Sequence, residues 1–450
     1  MKLPLMRRNQ RTTSLLMVSL FSLLFSCQKK DHWPPKATQE SADVVHDWYK
    51  LLIRLQLHQN PAPFALLNMS NFGYIGVGLY ESVHPGIKGS TSLSTKLYQM
   101  PTMPAAAVNQ PYLWSASANA ALASMSRLLL AGLTDANKDS IDSLERVYNE
   151  RFTSGTTEAV LSRSQAFGHS IATAIHNWSK TDNLNISNAG YVRPVFPGAW
   201  EPTPPAFANP AGPYIGNARP FLESNLTVTA PPFPFPYSED PSSEFYKMVK
   251  EVYDISKVLT PEQRDIARFW ADVGGPGNGY PVPGHFVSIV TQVLEKNRFN
   301  LGRSAELYAK TAIANRDALI NMWRFKFHYN TIRPVTYINR FIDPAWQTLV
   351  LTPPYPEYPS ALTYILGSAM QVLTRELGDN IPVTDNTYTF NGSAPRHYSS
   401  FTKVVEEGAI SRFYGGIHYK IVVEMSLPLA KEIGDKAADI DLTGDKHKLK

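Results

Sequence analysis

The chain has 450 residues, a formal net charge of +5 and one cysteine. That length holds one large domain or two ordinary ones, and 43% apolar with 18% charged residues is the balance of a folded chain. A single cysteine excludes a disulfide framework and a metal site built from thiolates alone.

The basic balance is local to the first residues. Lys2, Arg7, Arg8 and Arg11 precede an apolar run, Leu15 to Leu24. The run is short for a bilayer span and carries the flanks of an export signal. It ends Leu24-Phe25-Ser26-Cys27, which resembles a bacterial lipoprotein box with Cys27 as the lipid-bearing residue. The expectation is an exported, membrane-anchored protein facing the periplasm or the cell surface. Past position 27 the chain carries 39 basic and 38 acidic residues, so nucleic-acid binding loses its support.

Residues 28–41 are polar, contain Pro34-Pro35 and read as a tether. From Ala42 the pattern turns helical: Val44, Val45, Trp48, Leu51, Leu52 and Leu55 recur at three- and four-residue spacings. Similar periodicity predicts helices over 64–83, 113–133, 138–152 and 157–180. Between Tyr191 and Pro241 stand 13 prolines and several aromatics. Proline blocks helix interiors, and Trp200, Phe207, Tyr214, Phe221, Phe233 and Phe235 argue for a long loop packed on the body and walling a site. Helices resume at 243–258. Thr260-Pro261-Glu262-Gln263 has the form of a capping box with proline in the first turn. Gly274 to Gly284 is a Gly/Pro loop without the GxxxxGK[ST] pattern of a P-loop. Further helices are expected at 286–297, 304–329, 360–377, 400–413 and 418–433. No strand ladder is evident. The fold class is mostly α, a single helical-bundle domain over 42–436 with long Pro-rich loops and a polar tail at 437–450.

Three separated segments carry the chemistry. Lys326 lies near a helix end, and Arg333 precedes a proline, which ends the helix. Ser360, in Tyr358-Pro359-Ser360-Ala361-Leu362, sits at a predicted helix N-terminus, where free N–H groups and the dipole attract an anion. Arg412 ends another helix, and Gly415-Gly416 sends His418 into the next element. Three cations, a hydroxyl and a helix N-terminus suit a tetrahedral oxyanion, each charge-assisted bond contributing about 1.5–3 kcal/mol. A neutral imidazole beside them could attack phosphorus or ligate a metal. No HExxH and no GxSxG is present.

Lys326-x6-Arg333-Pro334, Pro359-Ser360 and Ser411-Arg412-x5-His418 resemble the signature of the vanadium-dependent haloperoxidases and type 2 phosphatidic acid phosphatases. Gly198-Ala199-Trp200-Glu201-Pro202, Phe269-Trp270-Ala271-Asp272, Pro283-Gly284-His285-Phe286 and Tyr414-Gly415-Gly416-Ile417-His418-Tyr419 look most like the bacterial haloperoxidase-like branch. The resemblance covers about residues 42–434. It implies that Lys326, Arg333, Ser360, Arg412 and the amide of Ala361 bind the oxygens of vanadate or phosphate. It makes His418 the axial vanadium ligand, or the nucleophile of a phosphatase. The implied substrates are hydrogen peroxide and halide, or a phosphate ester, and the implied assembly is a homodimer.

Two departures stand out. Leu362 occupies the place of the family's acid-base histidine, and leucine holds no exchangeable proton. Val422 stands where phosphatases place the aspartate that orients the histidine. The resemblance therefore leaves three readings. One is a haloperoxidase-like enzyme with another proton donor, for which His285 and His328 are the candidates. The others are a phosphatase using His418 and a non-catalytic oxyanion-binding or scaffold lipoprotein.

Overall fold

The computed structural model describes residues 36–57, 64–272 and 279–442. The expected export signal with Cys27, the first part of the expected tether, residues 273–278 of the Gly/Pro loop and the last residues of the expected tail lie outside the described residues. The described residues belong to one unit.

Apolar spacing places the first helices as expected: α1 (Asp43–Arg54), α2 (Phe64–Val83), α3 (Trp114–Leu129), α4 (Asp135–Thr153) and α5 (Glu158–Ser179). Side-chain oxygens of Thr134 and Thr157 cap the last two. Ser243 caps α6 (Glu244–Val258). The capping box of α7 (Pro261–Phe269) forms as read: Gln263 N–H donates to Thr260 Oγ1 at 3.2 Å and Thr260 N–H to Gln263 Oε1 at 2.9 Å.

The site-bearing half follows as α8 (Val282–Lys296), α9 (Leu301–Tyr329), α10 (Pro334–Phe341), α11 (Ala361–Leu377), α12 (Phe401–Tyr414) and α13 (Lys420–Ala438). The 29-residue α9 is buried on nearly all sides, as befits the central rod of a bundle. α2 lies along it, and a Cβ at Gly76 would come within 2.4 Å of Ala312 Cβ, so glycine sets that approach. α11 packs between α9 and α13. No helix among the described residues is long and apolar enough to cross a membrane.

Four features differ from the sequence reading. Residues 36–41 belong to the body and not to a tether: Ala37 is buried, and the Glu40 carboxylate accepts the N–H groups of Trp114 and Ser115 at the start of α3. The tail likewise starts late, because Ile440 and Leu442 are buried and the Leu442 carbonyl accepts from Thr91 N–H. α10 was unforeseen, since eight residues opening Pro-Val-Thr give little helical period. A short antiparallel hairpin, β1 (Val383–Asp385) with β2 (Arg396–Tyr398), pairs Thr384 with His397.

The Pro-rich segment holds only two short 3₁₀ turns, Ile215–Asn217 and Glu223–Asn225. It is packed, as its aromatics suggest: Trp200 and Phe221 are fully buried, although Phe207 is exposed. Asp317 of α9 accepts the N–H groups of Phe221 and Leu222, and Arg316 pairs with Asp182 at 2.7 Å. The segment contributes only Ala211 to the cavity described below. Its main service is to brace the chain before Arg333, where Trp200 N–H donates to the Asn330 carbonyl and Ile332 N–H to the Gly198 carbonyl.

Candidate oxyanion site

The three chemistry-bearing segments meet where α9, α11 and α12 end or begin. Lys326, in the last turn of α9, is fully buried and donates to the carbonyls of Pro356, Glu357 and Pro359. It clamps the loop that leads into Ser360. Arg333 is the residue before α10 and is also fully buried. Its Nε donates to the Tyr355 carbonyl at 2.9 Å, and one terminal nitrogen donates to the Ile417 carbonyl at 2.7 Å and to His418 Nε2 at 3.1 Å. Its other terminal nitrogen, Nη2, is buried with no partner among the described residues. The Tyr355 ring lies against both cations, 5.0 Å from Lys326 Nζ and 5.2 Å from the Arg333 guanidinium.

Ser360 is the N-cap of α11 and Ala361 its first residue. Ser360 N–H donates to Ser426 Oγ, and its hydroxyl shares a hydrogen bond with Thr363 at 2.8 Å. Arg412, in the last turn of α12, donates to Ser411 Oγ and to the Trp270 carbonyl. Gly416 turns the chain with φ +77°, where an added Cβ would press on Trp346. His418 follows in the corner before α13.

The electrostatics of the three cations are unusual. None of Lys326, Arg333 and Arg412 makes an ion pair among the described residues. Burial pushes Lys326 well below its ordinary value, with Arg333 adding to the effect. Burial lowers Arg333, and lowers Arg412 to about 10 against the pull of Asp272. Three dehydrated cations with an unused guanidinium nitrogen fit a compact anion. Among the described residues no group of three or more His, Cys, Asp or Glu side chains could hold a metal cation.

Glu357 is the residue that sequence reasoning missed. His418 Nδ1 lies 2.6 Å from Glu357 Oε1, which also accepts Tyr419 N–H at 3.2 Å. The expected aspartate position, Val422, is buried and apolar, and the orienting acid comes instead from the loop before Ser360. Arg333 can only donate, so the lone pair of His418 faces it at Nε2 and the proton sits on Nδ1. Burial, then Arg333, Lys326 and Arg412, hold His418 well below the usual imidazole range. Burial pushes Glu357 up to about 8, against Arg333 and Lys326. The pair is therefore a neutral hydrogen bond, and the Nε2 lone pair accepts from Arg333.

His285 and His328 are not brought to this centre. His328 is exposed on the outer side of α9, where it meets Tyr329. His285 is fully buried, but both its nitrogens are engaged: Nδ1 lies 2.7 Å from Asp272 Oδ1 and Nε2 lies 2.8 Å from Asp385 Oδ2. Burial opposes its charge, yet the two carboxylates overcome this and push it up to about 10, so it is an imidazolium. It stacks on Trp270 with ring centroids 4.4 Å apart.

A cavity of about 200 Å³ opens onto the cradle. Arg412, His418, Ala361 and Asp272 line one part, and Leu362, Ile365, Leu66, Met69 and Trp323 supply an apolar wall. Leu362 itself is buried in that wall.

The family model for the VCPO second helical-bundle domain matches residues 306–442. The chain is similar to the first bacterial vanadium-dependent iodoperoxidase of known crystal structure, at 29% identity and a TM-score of 0.81, covering 90% of this chain and 98% of that one. It shares the fold of a bacterial vanadium-dependent chloroperoxidase. The apo form has 15% identity and a TM-score of 0.63 over 86% of this chain and 96% of that one. The holo form has 16% identity and a TM-score of 0.62 over 85% and 93%. No curated protein matches the chain. The bundle matched over residues 306–442 and the likeness to the iodoperoxidase support placing the chain with the vanadium haloperoxidases and type 2 phosphatidic acid phosphatases.

Proposed function

We propose that the chain binds vanadate in this cradle, with phosphate as a competitor, and works as a haloperoxidase-like enzyme of an exported, lipid-anchored protein. The supporting observation is the set of three buried cations without an ion pair among the described residues, of which Arg412 lines the same cavity as the neutral His418 and Arg333 donates to His418 Nε2. Arg333 Nη2, Arg412 and the N-terminal amides of α11 would hold the oxygens, and His418 Nε2 would ligate the metal. Bound vanadate would supply the activation of hydrogen peroxide for oxidation of a halide. The protein's share is placement and field: a dehydrated positive pocket lowers the cost of gathering negative charge there. Leu362 stands where the family resemblance puts the acid-base histidine, and it leaves an apolar surface at that point of the cavity.

Titration of the purified protein with orthovanadate tests the reading. Uptake is expected, and Arg333→Ala should weaken vanadate and phosphate together by about 1.5–3 kcal/mol for each charge-assisted bond lost. His418→Ala should weaken vanadate more than phosphate, because only the metal uses the imidazole lone pair in binding. A wild-type protein that takes up no vanadate would sink the proposal, and a vanadate-loaded protein that fails to oxidise iodide would reduce it to a binding role.

A further inference from the structure

Among the described residues Asp272 is the one acidic group in the cavity wall, and its two oxygens differ. Oδ1 accepts two hydrogen bonds, from His285 Nδ1 at 2.7 Å and from the Tyr388 hydroxyl at 2.7 Å. Oδ2 accepts none among the described residues, although the side chain is over nine-tenths buried. Asp272 stands at φ +49°, a left-handed conformation that aspartate tolerates, directly after α7. Two residues earlier the Trp270 carbonyl receives Arg412, and Asp272 is the leading negative influence on that guanidinium. Asp272 lines the cavity together with Arg412, His418 and Ala361.

The rest of the arrangement fixes this carboxylate in place. His285 bridges Asp272 to Asp385, whose Oδ1 accepts Thr387 N–H. Phe269, Trp270 and Tyr388 surround the imidazole ring. A buried carboxylate oxygen without a donor is costly and calls for a partner. The cavity that Asp272 lines is the space nearest the described cations from which such a partner would come.

Building on the oxyanion reading above, we propose that Asp272 Oδ2 is the proton acceptor of the cavity: it accepts a hydrogen bond from an O–H carried by the bound oxyanion or its substrate. The ligand class this selects is a tetrahedral oxyanion that still bears a proton. With hydrogen peroxide as substrate, the same oxygen takes the proton: the substrate O–H bond breaks, its electron pair stays on oxygen, and Oδ2–H forms. The reverse step returns the proton to a leaving oxygen. This gives the cavity an acid-base group although position 362 is leucine. His285 touches no ligand and acts as a positioning residue.

Phosphate and sulfate separate the possibilities without turnover. Near neutral pH both are tetrahedral anions, but only phosphate keeps an O–H to offer. A site built around that hydrogen bond rejects the analogue lacking it by about 10⁴-fold or more when the groups are fully buried, and a carboxylate facing a fully ionised anion adds repulsion. Calorimetric titration of the full chain is expected to show phosphate bound at least about 100-fold tighter than sulfate, since the cavity is partly open. In Asp272→Asn the introduced amide can donate, so sulfate should gain affinity and the preference should shrink to within about tenfold. Equal wild-type affinity for the two anions, or an undiminished preference in D272N, would overturn the assignment while leaving the oxyanion reading intact. Binding of neither anion would overturn both. The wild-type ratio needs no variant, so a D272N chain that fails to fold still leaves the assignment open to refutation.

Discussion

Two buried histidines, each hydrogen-bonded to carboxyl groups, end in opposite charge states. His418 lies 2.6 Å from Glu357, and His285 lies 2.7 and 2.8 Å from Asp272 and Asp385. Distance does not distinguish them; the surroundings do. Around His418 stand Arg333, Lys326 and Arg412, which join burial in driving the imidazole neutral, while burial pushes Glu357 up to about 8. Around His285 the charges are two carboxylates, and the imidazole is pushed up to about 10. The first arrangement leaves a neutral base whose lone pair accepts from Arg333. The second makes a charged brace that aims a carboxylate.

The comparison predicts unequal costs of neutralising a carboxylate. Asp385→Asn removes one of two anions holding a buried imidazolium, and breaking such a pair typically costs about 3–5 kcal/mol. Denaturant unfolding of D385N should show a loss of that order. A loss under about 1 kcal/mol would mean that His285 is neutral in the folded protein.

The pH dependence of stability sharpens the same contrast. His285 is raised from 6.5 to about 10, so its contribution is complete below pH 6.5 and is lost as pH rises through 10. Glu357 is raised from 4.5 to about 8, so its contribution is complete below 4.5 and is lost as pH rises through 8. His418 is depressed, so its contribution is present above 6.5 and is lost as pH falls. Between pH 6.5 and 8 the two raised groups act together, and stability of the anion-free protein should decline with rising pH. Glu357→Gln should about halve the slope in that interval, leaving the His285 decline from 6.5 to 10. Unfolding free energies measured at closely spaced pH values check both parts.

How legible these two centres were follows from how far along the chain their parts lie. Helices with a long apolar period, such as α2 at 64–83, were read to the residue. The positions of Lys326, Arg333, Ser360, Arg412 and His418 near helix ends were readable, because helix ends have sequence signals in proline, glycine and serine. Glu357 was not, because the acid was sought on the turn after His418, whereas the chain supplies it from 61 residues upstream. Its signal was present in Glu357-Tyr358-Pro359-Ser360, an acidic residue three before a helix N-cap. Asp385 was missed with its strand, since three residues carry too little alternation to register. Asp272 lay inside a recognised motif without a role, because nothing in sequence shows which oxygen of a carboxylate is left over.

The smallest expected effect is the most discriminating. If Glu357 is uncharged at neutral pH, glutamine is close to a faithful replacement. Its carbonyl oxygen can accept from His418 Nδ1 and from Tyr419 N–H as Oε1 does, and its amide falls where Oε2 has no partner among the described residues. E357Q should then cost under about 1 kcal/mol in stability and change vanadate affinity less than tenfold. Glu357→Ala removes the acceptor, frees the imidazole to rotate, and should lower affinity by about 10–100-fold. An E357Q protein as impaired as E357A would show that the carboxylate charge, and not its hydrogen bond, prepares His418. The pair at the cradle would then belong with His285 and its two carboxylates after all.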